Sequence, residues 1–333
     1  MDKKAFGILP TGEAISLYTI KNENASLTVM ERGGAIVKFE VFGKDIIGGF
    51  DSLDDYLKDT SHQGALIGRV ANRVAGAKFE MDGEVYNLPK NNNGNCLHGG
   101  VGFDYKVWNI DEVGEDFITL SYTSADGEEG FPAELHTVVT YKLEDTSVLI
   151  DYNAYPKGKT PIALTNHSYF NLNGFGGTVE DHKITIHADR YTDVDDMLIP
   201  NGCRPEVEGT VFDLKRPTRM GERCSADFVG YDHNFILNGE PTEILFGKEL
   251  ALAAEVVADE LSMNVYTDQP GVQFYMGNFL GKGPDFRGGH KPIVHGAFCL
   301  ETQTEPDCIN HGVGFYEAGQ VYTHSTVYKV FKN

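Results

Sequence analysis

The sequence predicts an all-β protein, a large sandwich of sheets, and three observations carry that expectation. Glycine, tyrosine and phenylalanine number 38, 16 and 20 among 333 residues, a composition that suits strands and turns. Several stretches alternate apolar and polar residues with period two. Turn signals recur along the whole chain.

Taken in order, "AISLYTI" (14–20) is the first alternating stretch, followed by "SVLIDYNA" (147–154), "HKITIHA" (182–188) and "TVYKVF" (326–331). Each reads as a half-buried strand. "NNNGN", "NGFGG", "LNGEP", "GKGP" and "FRGGH" mark turns. The best short helix is "SLDDYLKDT" (52–60), where Ser52 caps and Asp55 completes a box-like start. "FGKELALAAEVVADE" (246–260) is helical by propensity, but the Ala and Val of its second half also suit a strand, so both readings stand. No linker, low-complexity tract or internal repeat interrupts the chain. A single domain over 1–333 is expected, long enough to bury a substantial core.

Composition narrows the function. The net charge is −21, from 28 basic and 49 acidic residues, which repels polyanions and argues against nucleic-acid binding. Hydrophobic residues make up 41%, and no apolar run approaches the ~20 residues of a spanning helix. The opening "MDKKAFGILPTGEAISLYTI" lacks a continuous apolar core, so a cytoplasmic location is expected, with no membrane partner. Five cysteines at wide spacings, without a CxxC, read as free thiols of a reducing compartment.

Polar residues gather in four places where a sheet has least need of them. These are Arg69, Asn72 and Arg73 in "GRVANRVAG"; His98 in "NCLHGG"; His167 in "TNHSYFNL"; and Glu301 in "FCLETQTEPD". Asp232 in "GYDHNFIL" and Gln273 in "QPGVQFYMGN" stand beside aromatics. Each has a plainer reading. The arginines suit surface ion pairs, His98 a turn, and His167 a structural place in a strand. Glu301 is more informative, because "IVHGAFCLE" buries its neighbours and a buried carboxylate without a partner is costly. The chain has no HExxH, GxSxG, P-loop or GxGxxG motif. "DVDDM" fails the EF-hand template, and His182 and His187 are poorly spaced for a metal pair on a strand. Asp232 and Glu301 keep glycoside hydrolysis open as a competitor.

Six ordered blocks, "GALIGRVANRVAGAKF", "LHGG", "NHSYFNLNG", "YDHNFIL", "PGVQFYMGN" and "LETQTEPD", resemble the aldose 1-epimerase family. The resemblance runs from about Gly64 to the closing "GQVYTHSTVYKVF". It implies an antiparallel supersandwich with an open sugar cleft, and interconversion of the α and β anomers of free aldoses such as glucose and galactose. It implies no metal and no organic cofactor, and a protein that is a monomer or a homodimer. By the same resemblance Glu301 is the general base, His167 the general acid and His98 a second active-site histidine. Arg73, Asp232 and Gln273 bind sugar, as does Asn72 by adjacency. His167 is expected to be protonated at rest, its pKa raised by Glu301 and other acidic residues. Tyr169 and Phe274 are aromatics that either stack on the sugar or belong to the core. By the same resemblance the chain departs from the family at Glu305, a position often aromatic in relatives, and in "CINHGVGFYEAGQ", which lacks the expected Pro-rich run. Both departures are expected to reshape the cleft rim. A hexose-6-phosphate epimerase and a non-catalytic carbohydrate-binding sandwich are the competing readings.

Overall fold

Alternating burial is the rule by which this chain assembles. The computed structural model describes residues 2–333 and is built almost wholly of strands, with one α-helix, Leu53–Lys58, among the described residues. The ladders of its three main sheets are antiparallel. The largest sheet has ten strands. It runs from Asn109–Val113 through Phe117–Ser124, Leu135–Glu144 and Ser147–Pro156 to Tyr322–Lys332, then through Leu261–Thr267 and Lys248–Val257 to Lys183–Ile186 and Thr218–Arg219, with Glu243–Leu245 paired to Lys248–Val257. A five-stranded sheet is formed by the N-terminal strands, from Asp2–Ile8 to Lys44–Asp45. Leu27, Val29 and Phe39 of this sheet share one core with Val139, Tyr141 and Ile150 of the large one. The sheet-on-sheet prediction therefore holds.

The helix forms where its sequence signals placed it. The Ser52 hydroxyl oxygen accepts from the Asp55 amide at 3.2 Å and donates to the Asp55 carboxylate at 2.6 Å. The stretch 246–260 resolves as strand Lys248–Val257. A register shift between Leu252 and Ala254 turns both Ala253 and Ala254 inward, which breaks strict alternation and mimics a helical pattern. Pairing with strands on both sides overrides alanine's helix propensity. His182 and His187 are apart in role: His182 is fully buried and its Nε2 accepts from the Leu172 amide, while His187 pairs with Glu255 near the surface.

A third sheet, of four strands, positions the site: Ala188–Tyr191, Asp232–Leu237, Gly271–Tyr275 and Cys299–Gln303. Its register aligns Asp232 with Tyr275 and Cys299, and Asn234 with Gln273 and Glu301. Because successive side chains alternate, these six residues share one face. The other face carries Phe235, Val272, Phe274 and Leu300 into the main core. Phe274 is thus core, the better-supported of its two readings.

Arg69 has no surface role. Its side chain is buried at 2% exposure, and its guanidinium donates to the Ser124 hydroxyl, the Thr160 hydroxyl and the carbonyls of Ser124, Ala125, Pro132 and Ala133 at 2.7–3.1 Å. Burial pushes its pKa down to about 10, which leaves it charged at neutral pH. It ties the 124–133 loop to the segment that leads to Asn72 and Arg73. Arg69→Met strands several buried carbonyls, and each unsatisfied group costs about 1–3 kcal/mol. We expect a loss of roughly 3 kcal/mol or more, read as a lower urea midpoint at unchanged m-value; an unchanged midpoint would show that the network is not needed for stability.

Candidate active site

The polar face of the four-stranded sheet supplies one wall of a cleft, and loops from elsewhere supply the other. Short ladders bring those loops together. Leu66–Ile67 pairs with Thr165–Asn166, and the amides of Gly64 and His167 are bonded to the carbonyls of His167 and Ala65 at 2.9 Å each. Cys96–Leu97 pairs with Arg73–Val74, and the His98 amide donates to the Asn72 carbonyl at 3.0 Å. The "HGG" of the sequence has a steric cause. Gly99 adopts φ +78°, and a Cβ there would meet the Gly68 carbonyl oxygen at 2.3 Å. Asn72 and His98 themselves hold left-handed backbones, at φ 60° and 54°. Left-handed backbone at non-glycine residues concentrates at functional sites.

His98, His167 and Glu301 come together, with ligand atoms within 4.8 Å of one another and exposures of 5%, 5% and 3%. The His167 Nε2 lies 3.8 Å from Glu301 Oε1. The Cys299 sulfur lies 3.6 Å from His167 Nδ1, and Tyr169 packs its ring 5.0 Å from the imidazole. Glu301 Oε2 is buried with no protein partner, as is Gln273 Oε1. The Gln273 amide nitrogen donates to Asp232 Oδ1 at 2.8 Å, and Arg73 donates to Asn92 at 3.2 Å. Arg73, Asn72, Asp232 and Tyr169 line the cleft with the central three. Gln273 stands behind Asp232, off the lining itself. The cleft measures about 640 Å³, inside the roughly 300–1,000 Å³ that small-molecule sites occupy.

Electrostatics correct one expectation. His167 is not held protonated: burial pushes its imidazole down to about 3, and nearby His62 acts in the same direction. Burial raises the Glu301 carboxyl well above the carboxylate range; Asp232 adds to the shift and Arg73 opposes it. The desolvation cost of a buried charge exceeds the attraction between partners 3.8 Å apart. The pair still holds one proton, and both shifts favour its place on Glu301. His98 is likewise held neutral by burial, reinforced by His62, His167 and Arg73.

Three ligand-type side chains this close invite a metal reading. The donor set fits one poorly. The Asn72 amide donates to His98 Nδ1 at 3.2 Å, so the ring's own proton belongs on Nε2. His98 therefore faces the cleft as a donor, without a free lone pair.

Residues beyond those named from sequence also line the cleft. His62 sits with its ring 4.8 Å from that of His98 and 5.7 Å from that of His167. Tyr275 lies beside His167, and Phe279, at 71% exposure, stands at the rim. His62 lies two residues before Gly64, where the resemblance begins, and nothing around it but that glycine marks it. Glu305 does not line the cleft. It accepts from the Thr192 hydroxyl at 2.8 Å and from Arg204 through two nitrogens, tying its segment to those of Thr192 and Arg204. The expected change of the rim at Glu305 is thus a change in loop anchoring.

The sequence model described as aldose 1-epimerase matches residues 16–329. The chain is 39% identical to galactose mutarotase of Rattus norvegicus, with 98% of this chain and 97% of that one aligned. It is 40% identical to galactose mutarotase of Homo sapiens over the same shares, and 36% identical to aldose 1-epimerase of Haemophilus influenzae over 96% and 97%. Among solved structures, a galactose 1-epimerase from Lactobacillus acidophilus superposes with a TM-score of 0.86 at 24% identity, covering 100% of this chain and 98% of that one. An aldose epimerase homologue from C. elegans gives 0.87 at 24% identity, covering 96% and 99%. From the profile match and the full-length relatives, this chain belongs to the aldose 1-epimerase family.

Proposed function

We propose that the protein is a mutarotase that interconverts the α and β anomers of free aldoses, with Glu301 and His167 exchanging protons with the sugar. The observation that carries this is the buried Glu301–His167 pair, 3.8 Å apart, opening onto a cleft rich in hydrogen-bonding groups. Ring opening removes a proton from the C1 hydroxyl, delivers one to the ring oxygen and breaks the C1–O5 bond. The aldehyde carbon then turns about C1–C2, and closure reverses both transfers. A pair that holds one proton suits this cycle, since each half-reaction moves a proton on to one partner and off the other. Glu301 as base requires that the shared proton first pass to His167. Arg73 favours that charge-separated form, because it opposes the raised pKa of Glu301. His98 donates through Nε2 to a sugar oxygen, and Asp232 and Asn72 offer partners to hydroxyls, with Gln273 orienting Asp232. The chain acts as one catalytic domain, and a cytoplasmic setting agrees with its five free cysteines.

Phosphorylated sugars are a poorer fit. Lys58 and Lys282 line the cleft, but Asp59 and Asp196 line it too, so no cationic patch stands ready for a phosphate.

Polarimetry on freshly dissolved α-D-glucose and α-D-galactose tests the reading: rotation should decay faster than in buffer with no new product, and no acceleration with any common aldose would overturn it. Glu301→Gln and His167→Asn should each lose about 10²–10⁴-fold in kcat while keeping the wild-type circular dichroism. The pH profile is the second check. Activity needs one proton on the pair, so the acid limb follows His167 and lies well below the ordinary histidine range, while the alkaline limb follows loss of the proton from Glu301. kcat/KM should therefore stay level down to pH ~5; an acid limb near the ordinary histidine pKa of about 6.5 would contradict the assignment. Stability gives the third. The folded carboxyl binds its proton more tightly than the unfolded one, so stability falls as pH rises from the unfolded pKa toward the raised folded one. Glu301→Gln removes that loss. Its melting temperature should exceed the parent's at pH 8, by the equivalent of about 1 kcal/mol, and the gain should vanish near pH 4.

A further inference from the structure

His62, partly exposed to the cleft, pairs with the buried Asp104, and the proposed proton exchange does not use this pair. His62 Nδ1 and Asp104 Oδ2 are 2.7 Å apart, and the carboxylate can only accept, so Nδ1 carries the hydrogen. Asp104 is 5% exposed, its second oxygen is buried without a partner, and His62 is its one side-chain hydrogen-bond partner among the described residues. Burying a carboxylate for one bond is costly unless the bond holds something in place.

What it holds is an imidazole aimed into the cleft. The Tyr105 ring stands perpendicular to that of His62 at 6.5 Å, and the Arg32 guanidinium covers Tyr105 at 5.3 Å. The His98 ring meets His62 edge to face. With Nδ1 bonded to Asp104, its one side-chain hydrogen bond among the described residues, Nε2 is the atom left for a ligand, and His62 lines the cleft. A carboxylate behind one nitrogen fixes the orientation of the ring and leaves the other nitrogen to meet a ligand.

We propose that His62 is a substrate-contacting, specificity-determining residue whose Nε2 hydrogen-bonds one sugar hydroxyl on the His98 side of the cleft, with Asp104 as its positioning residue. The inference rests on the mutarotase reading and deepens it: the favoured substrates are aldoses that carry a hydroxyl at that position. A site built to bond a hydroxyl discriminates against the analogue that lacks it.

The test compares the unaltered protein, His62→Phe and Asp104→Ala on D-galactose, D-glucose and their monodeoxy analogues, by polarimetry and by titration calorimetry. His62→Phe keeps an aromatic ring against His98 and His167 but removes Nε2. It should lose about tenfold in kcat/KM on the parent sugar, chiefly through KM. For one deoxy analogue the variant and the unaltered protein should be equal. Asp104→Ala should reproduce this pattern, and the double variant should be no worse than either single one. Should Asp104→Ala fail to fold, His62→Phe decides alone. Equal losses on every analogue would mean that His62 acts only through its neighbours and would overturn the proposal, as would unchanged sugar affinity in His62→Phe. Absence of mutarotase activity in the unaltered protein would instead overturn the functional reading, and the calorimetric affinities would still judge His62.

Discussion

A carboxylate buried to 3% exposure, with one oxygen unpaired, is the constraint around which this structure is arranged. Glu301 lies in the middle of a five-residue strand whose every residue is buried. Its neighbours cannot turn it to water, because Leu300 is committed to the core and the backbone is paired with Gly271–Tyr275. The remaining route is to give the carboxyl a cavity and to favour its protonated form. The raised pKa of Glu301 and the depressed pKa of His167 are two results of the same burial. A single proton shared by such a pair costs the fold less than two separated charges would.

The four-stranded sheet makes the cleft by being two-sided. One face contributes aromatic and aliphatic side chains to the main core; the other holds Asp232, Asn234, Gln273 and Glu301 in register. Opposite them, the loops carrying Asn72, His98 and His167 are fixed by short ladders and by glycines that allow backbones to touch. Rigid sheets thus aim groups that lie on loops, which suits chemistry that depends on placing two proton carriers around one ring. Arg69 belongs to this scaffold. Its motif neighbours face the cleft while it fastens the segment from behind.

Much of this was legible in the sequence, and the parts that were not share a cause. Period-two alternation and turn residues report local burial, so the all-β sandwich and the capped helix at Ser52 could be read directly. The strand Lys248–Val257 was ambiguous because a register shift removes its alternation, and only the adjoining strands decide it. The roles of Glu301, His167 and His98 were named through the ordered blocks of the family resemblance; taken singly, each residue had an ordinary reading. Arg69 and Arg73 look alike in "GRVANR", yet one lies in a cage of carbonyls and the other lines the cleft. No local pattern separates them.

Determined by the sequence itself were the fold class, the family blocks and the presence of residue types able to carry protons. Tertiary structure alone decided the charge state of the pair, because desolvation depends on what surrounds a group in space. It decided the tautomer of His98, through an amide twenty-six residues away. It also brought His62 and Asp104, forty-two residues apart, into one hydrogen bond beside His98 and His167. Contacts at that separation are set by how sheets and loops close on one another, and alternation along a strand carries no record of them.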